Sequence, residues 1–206
     1  MTSLTSSRRN LGASASNPTG GDALVTTLPE DLSQLVTACQ SGESRAQRQI
    51  FDACQPRITR LVLRMVGRQD APDLVQQTFL QMHRTIQQFS GHSRFETWLY
   101  RLAVNECLQF LRRTKRIRCE VLAHDPPDRS ASESLHAQEH ELLEVAMGRL
   151  DDELRGIFVL REIEGLTYRE IAEAMGIAEG TVASRLSRAR NQIRQHLVEL
   201  GWDCSE

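Results

Sequence analysis

The stretch from Gly165 to Arg190 constrains the fold more than any other part of the chain. Ile171 and Ala172, then Val182 and Leu186, form two short apolar stripes on either side of Gly176. Residues three and four apart share one helix face, so this spacing predicts two short helices packed on one another. Ala172 is small where the second helix crosses close above it. Gly176 supplies the positive φ that a chain needs to turn sharply after a helix. Thr181, Ser184, Arg185 and Arg188 recur at helical spacing on the outer side of the second helix. Hydroxyls and guanidiniums on a free helix face suit the major groove of DNA. An amphipathic helix pair with a solvated charged face is the plainer alternative. The coincidence of small, glycine and β-branched positions in one turn unit favours a helix-turn-helix.

The helical period recurs through most of the chain. Helices are expected over about 29–40 (Leu32, Leu35 and Val36 inward) and from 44 through Phe51, with Pro56 interrupting or restarting the second. Ile58, Leu61, Val62, Met65 and Val66 carry the stripe on to Gly67. The next helix spans 70–83, with Asp70 at its cap, Pro72 and Asp73 in its first turn, and Leu74, Val75, Thr78, Phe79 and Met82 inward. After a polar loop at 89–94, a long helix over 95–118 buries Phe95, Leu99, Leu102, Ala103, Cys107, Phe110 and Leu111. Its other face shows Arg101, Asn105, Gln109 and Arg112; Trp98 reads as core and Tyr100 as more outward. Residues 119–138 lose the period, and adjacent Pro126 and Pro127 cannot lie inside a helix. Helices resume over 137–149 and 151–164. The expected fold is all-α: two small helical domains, 29–118 and 137–200, joined by a flexible linker over 119–136. A segment at 1–28, rich in Ser, Thr, Gly and Ala, is expected to be disordered, and 201–206 is a short tail.

Charge is distributed in blocks. Residues 45–118 hold 14 basic and 5 acidic side chains, a net of +9. Residues 119–164 hold 4 and 12, a net of −8, and residues 165–200 hold 5 and 4. A polyanion is therefore a plausible partner for the first domain although the whole chain carries −2. No apolar run approaches the length needed to cross a membrane, and no apolar segment follows Arg8 and Arg9, so a cytoplasmic protein is expected. The five cysteines, at 39, 54, 107, 119 and 204, are scattered and read as reduced thiols, with Cys119 placed in the linker. No Ser/His/Asp set, phosphate-cradling glycine loop or Cys/His cluster is present, so neither catalysis, a cofactor nor a metal is expected.

The order of motifs resembles the extracytoplasmic-function (ECF) type of bacterial RNA polymerase sigma factor, of the sigma-70 family. The motifs that carry the likeness begin at Asp73, Phe95, Phe158 and Gly180, running to Phe79, Asn105, Tyr168 and Arg190. Together they cover about 45–118 and 137–198. The resemblance implies a non-catalytic factor built from sigma domains two and four, which binds core RNA polymerase at the β′ clamp and β flap and directs it to promoters. Asp70, Asp73, Leu74, Gln76, Gln77, Phe79 and Gln81 would contact the polymerase. His92, Arg94, Tyr100, Arg101, Asn105, Gln109 and Arg112 would contact the −10 element, and Tyr168, Arg169, Thr181, Ser184, Arg185 and Arg188 the −35 element. Ala183 stands where relatives commonly carry Lys or Arg, which removes one phosphate contact. An anti-sigma factor that wedges between the domains is a further partner the resemblance admits. Two rivals are a helix-turn-helix regulator that binds DNA without polymerase and a helical RNA-binding or enzymatic module. The first would need a receiver-type domain or a dimerisation heptad, and the N-terminal half shows neither. The second is opposed by the matching C-terminal half.

Overall fold

The computed structural model describes residues 32–120 and 135–202, and among them its regular structure is all helix, with no strand. Eight α-helices follow in order: α1 Leu32–Gln40, α2 Ser44–Val66, α3 Ala71–Thr85, α4 Phe95–Glu120, α5 Leu135–Gly148, α6 Asp152–Phe158, α7 Tyr168–Met175 and α8 Glu179–Glu199. The expected disordered segment and most of the expected linker lie outside the described residues. Cys119, placed in the linker by the sequence, belongs to the helical backbone of α4.

Two local departures have physical causes. Pro56 does not break α2, which runs unbroken for 23 residues. Proline removes one helical hydrogen bond at a cost of about 3 kcal/mol. Here Pro56 and Asp52, whose carbonyl loses its partner, are both exposed, so that carbonyl stays open to solvent. Ile50, Cys54, Ile58, Leu61, Val62 and Met65 meanwhile bury one continuous face. At roughly 1.5–3 kcal/mol for each large side chain, that burial outweighs the loss. The second departure follows α6, where Val159–Ile163 forms a π-helical turn. The Glu164 amide donates to the Val159 carbonyl five residues back (3.1 Å). One residue more per turn rotates the side chains that follow by about 100°.

The N-terminal helices α1–α4 pack around Leu61, Val62, Met65, Met82 and Leu99, all fully buried. Gln40 ties α1 to the segment before α4 by donating to the carbonyls of Ile86 and Phe89, both at 2.9 Å. In the C-terminal half, Ala146, Met147, Leu150, Leu154, Ala189 and Ile193 make a smaller core between α5, α6 and α8. The two halves also pack directly on each other. Ile157, Leu160, Ile171 and Leu186 belong to the same apolar cluster as the N-terminal core, and α7 lies along α4.

Candidate polymerase and nucleic-acid interfaces

The helix-turn-helix is α7 and α8. Thr167 caps α7: its hydroxyl accepts from the Glu170 amide (3.3 Å), while the Glu170 carboxylate accepts from the Thr167 amide (2.8 Å), a capping box. Burial alone would raise the Glu170 carboxyl pKa. The Thr167 hydrogen bonds and the charge of Arg94 outweigh it and hold the carboxyl below its ordinary range. Gly176 ends α7 in the left-handed conformation, φ 67°, as the turn demands. Val182 and Leu186 are fully buried, and Ala174 is buried more deeply than Ala172. On the outer side Arg169, Ser184 and Arg188 are exposed, and Thr181 is half-buried. Tyr168 is half-buried under the Arg161 guanidinium, 5.2 Å from its ring centre. Arg185 is already engaged: its Nη1 donates to Glu153 Oε2 of α6 at 2.7 Å.

On α4, Arg101, Asn105, Gln109 and Arg112 are exposed along one face, at the spacing that lets a helix follow phosphates and base edges. His92 and Arg94 are exposed in the preceding loop, where the Ser90 hydroxyl pairs with His92 Nδ1 and Arg94 contacts Glu96 (3.3 Å) and Glu170 (3.4 Å). Trp98 is half-buried in a cluster with Phe89 and Phe95, ring centres 5.3–5.6 Å apart. Tyr100 corrects the outward reading: it is 3% exposed, and its hydroxyl donates to Glu164 Oε2 at 2.6 Å. Its pKa is raised by burial first and by the Glu164 carboxylate second. The helical spacing failed here because α4 is covered on a second side by the C-terminal half.

On α3, Asp73, Gln76 and Gln77 are exposed, and Asp70 and Gln81 are half-buried. Asp70 takes the cap position but its side chain makes no capping bond. Leu74 (4% exposed) and Phe79 (5%) are core residues, so they support the face from beneath and do not present it. Sequence reasoning missed the groove beside this face. Phe51, Leu63, Ala71, Val75, Phe79 and Leu80 line an apolar hollow of about 560 Å³ between α2 and α3. Phe51 is 40% and Leu80 47% exposed there. Exposed large apolar side chains gathered in one groove mark a contact surface more often than single ones do. The signal available in the sequence was Leu80 standing next to Phe79, outside the α3 stripe.

The buried cysteines offer no chemistry. Burial pushes the Cys54 and Cys107 thiols up to about 12, which keeps them protonated and inert. Among the described residues no group of His, Cys, Asp or Glu could hold a metal, and no helix is long and apolar enough to cross a membrane.

Two family models match the chain: Sigma-70 region 2 over residues 50–117, and Sigma-70, region 4 over residues 140–193. Over 179 residues the chain is 35% identical to the ECF RNA polymerase sigma-E factor of Haemophilus influenzae, covering 81% of this chain and 95% of that protein. The chain belongs to the ECF sigma factors of the sigma-70 family. It is 39% identical over 151 residues to the ECF RNA polymerase sigma factor SigE of Mycolicibacterium smegmatis, covering 69% of this chain and 58% of that one. Among solved structures, the sigma factor RpoE in complex with the anti-sigma factor NepR from Bartonella quintana shares the fold. It matches at TM-score 0.64 and 23% identity, over 73% of this chain and 95% of that one. CnrH, in complex with the cytosolic domain of CnrY, matches at TM-score 0.63 and 22% identity, over 81% and 96%. The region 2 match of this sigma factor runs from within α2 to within α4, and the region 4 match from α5 into α8. The candidate residues of α3, α4, α7 and α8 all fall inside the two.

Proposed function

We propose that this sigma factor binds core RNA polymerase through the polar face of α3 and brings promoter DNA to α4 and α8. The observation that carries the reading is the presence of regions 2 and 4 in one chain, each presenting an exposed polar helix face. Asp73, Gln76, Gln77 and Gln81, with Asp70 at the helix start, form a hydrogen-bonding face for a polar helical partner. The neighbouring Phe51–Leu80 groove takes the apolar side chains of the same partner, since Gln76 borders both surfaces. His92, Arg94, Arg101, Asn105, Gln109 and Arg112 serve the −10 element. Arg169, Thr181, Ser184, Arg185 and Arg188 serve the −35 element, with Tyr168 buttressing the start of α7. The protein acts by recruitment and not by catalysis, in the cytoplasm, and each anchored module raises the effective concentration of the next. An anti-sigma factor is a proposed regulator, as the solved RpoE–NepR complex has one. Run-off transcription from a genomic promoter library with purified core polymerase tests the reading. Discrete new transcripts should appear only when the protein is added, and their absence would overturn it.

A further inference from the structure

We infer that Glu162 and Arg190 form a positioning pair that fixes the roll of α8 and so sets how sharply the protein discriminates the bases of the −35 element. This rests on the sigma-factor reading above.

Arg161 and Glu162 are neighbours on the π-helical turn that precedes α7, and they hold the two helices of the helix-turn-helix separately. Arg161 takes α7: its Nη1 donates to the Leu166 carbonyl at 2.8 Å, and its guanidinium lies over the Tyr168 ring. Glu162 takes α8: its Oε1 accepts from Arg190 Nε at 3.0 Å and from Arg190 Nη2 at 2.5 Å. Tyr168, the first residue of α7, also interacts with the Arg190 guanidinium, so the bracket joins both helices at one point. All four residues belong to the C-terminal half.

Arg190 stands off the reading face. It is two residues past Arg188, about 160° round the helix from it, whereas Arg188 shares the outer side with Thr181 and Ser184. Arg185 is five residues before Arg190, about 140° round, on the other flank of the stripe of Val182, Leu186 and Ala189. There Glu153 holds it. α8 is therefore stayed on both flanks by acids from the segment before α7. When Arg185 leaves Glu153 for a base edge, the Glu162 stay is the one that remains. Side chains reach about 5–6 Å from a helix axis, so a roll of about 10° carries their tips about 1 Å. That exceeds the range of about 0.5 Å over which a hydrogen bond keeps its geometry. Base contacts are spoiled by such a roll, while phosphate attraction, which follows charge, is nearly unchanged. The pair is itself partly exposed (Glu162 36%, Arg190 48%) and adds little stability, so its effect is directional.

The test uses holoenzyme assembled from the full chain and core polymerase. The probes are a promoter duplex recovered by run-off transcription and the same duplex with its −35 base pairs scrambled. Glu162→Gln and Arg190→Gln break the pair from its two ends. Arg149→Gln, which removes a comparable exposed tie to Glu199 at the far end of α8, is the control. Each pair variant should lose about tenfold in the affinity ratio of the two duplexes. The double variant should lose no more than either alone, because the two residues act as one unit. The slope of log K against log salt should change by less than about 0.5, since no phosphate contact is removed. Melting temperatures should fall by less than about 4 °C; should one variant unfold, the other decides. Unchanged ratios in the folded variants overturn the pair, and so does an equal loss in the control. A slope reduced by about 1 in Arg190→Gln, with an unchanged ratio in Glu162→Gln, also overturns it and makes Arg190 a phosphate contact. A wild-type holoenzyme that binds both duplexes equally would instead overturn the −35 reading on which the pair rests.

Discussion

The helices α4 and α8 carry the two proposed DNA-reading faces, but they are set into the molecule differently. α8 is buried along one narrow stripe, Val182, Leu186, Ala189 and Ile193, and that stripe fixes which face is free. α4 is buried over a wide arc that includes Leu99, Tyr100, Ala103, Val104, Cys107 and Leu108. Part of the arc rests on its own half and part on the opposite half, where Tyr100 meets Glu164 and Lys115 meets Asp152. The reading face of α8 is therefore a property of its own fold, whereas that of α4 depends on where its neighbour sits.

The contrast can be broken most severely by removing the support of α8. Leu186→Ala leaves a cavity at a fully buried position and should cost about 2–5 kcal/mol in urea denaturation. A loss below about 1 kcal/mol would show that the α8 stripe does not fix its face. Next, Arg185→Ala should weaken holoenzyme binding to a matched promoter by about 1–3 kcal/mol at constant salt if it reads a base edge. Unchanged affinity would remove Arg185 from the DNA face and leave it only as the partner of Glu153. Gly176→Ala forces a side chain into the left-handed region at φ 67° and should cost roughly 1–2 kcal/mol, read as a lowered melting temperature.

The smallest effect concerns the α7 cap. Because the folded Glu170 carboxyl lies below its ordinary value of 4.5, its contribution is complete above that pH and lost as pH falls through the lowered value. The melting temperatures of wild type and Glu170→Gln should therefore differ most near neutrality and converge in acid. A gap that widened in acid would contradict the assignment.

Where a helix packs only within its own half, its inward residues were legible from spacing alone. The α8 stripe, the α3 stripe and the Asp70 cap position are examples. Pro56 misled because propensity is local while the α2 face it interrupts is stabilised along its whole length. Tyr100 and Glu164 were illegible for a different reason. Glu164 reads as a surface acid unless Arg57 and Arg60, more than 100 residues away, are known to surround it. On the proposed polymerase face, Asp73, Gln76 and Gln77 are exposed, but Leu74 and Phe79 belong to the period beneath them. The π-helical turn left no mark in composition, since Val-Leu-Arg-Glu-Ile over 159–163 reads as ordinary helix.

That widened turn has a consequence for engineering. Excising one peptide unit between Val159 and Ile163 would restore a regular winding and swing the following carboxylate by about 100°. Backbone length, with Glu164, Arg57, Arg60 and Tyr100 all retained, would then decide whether that carboxylate still meets its partners.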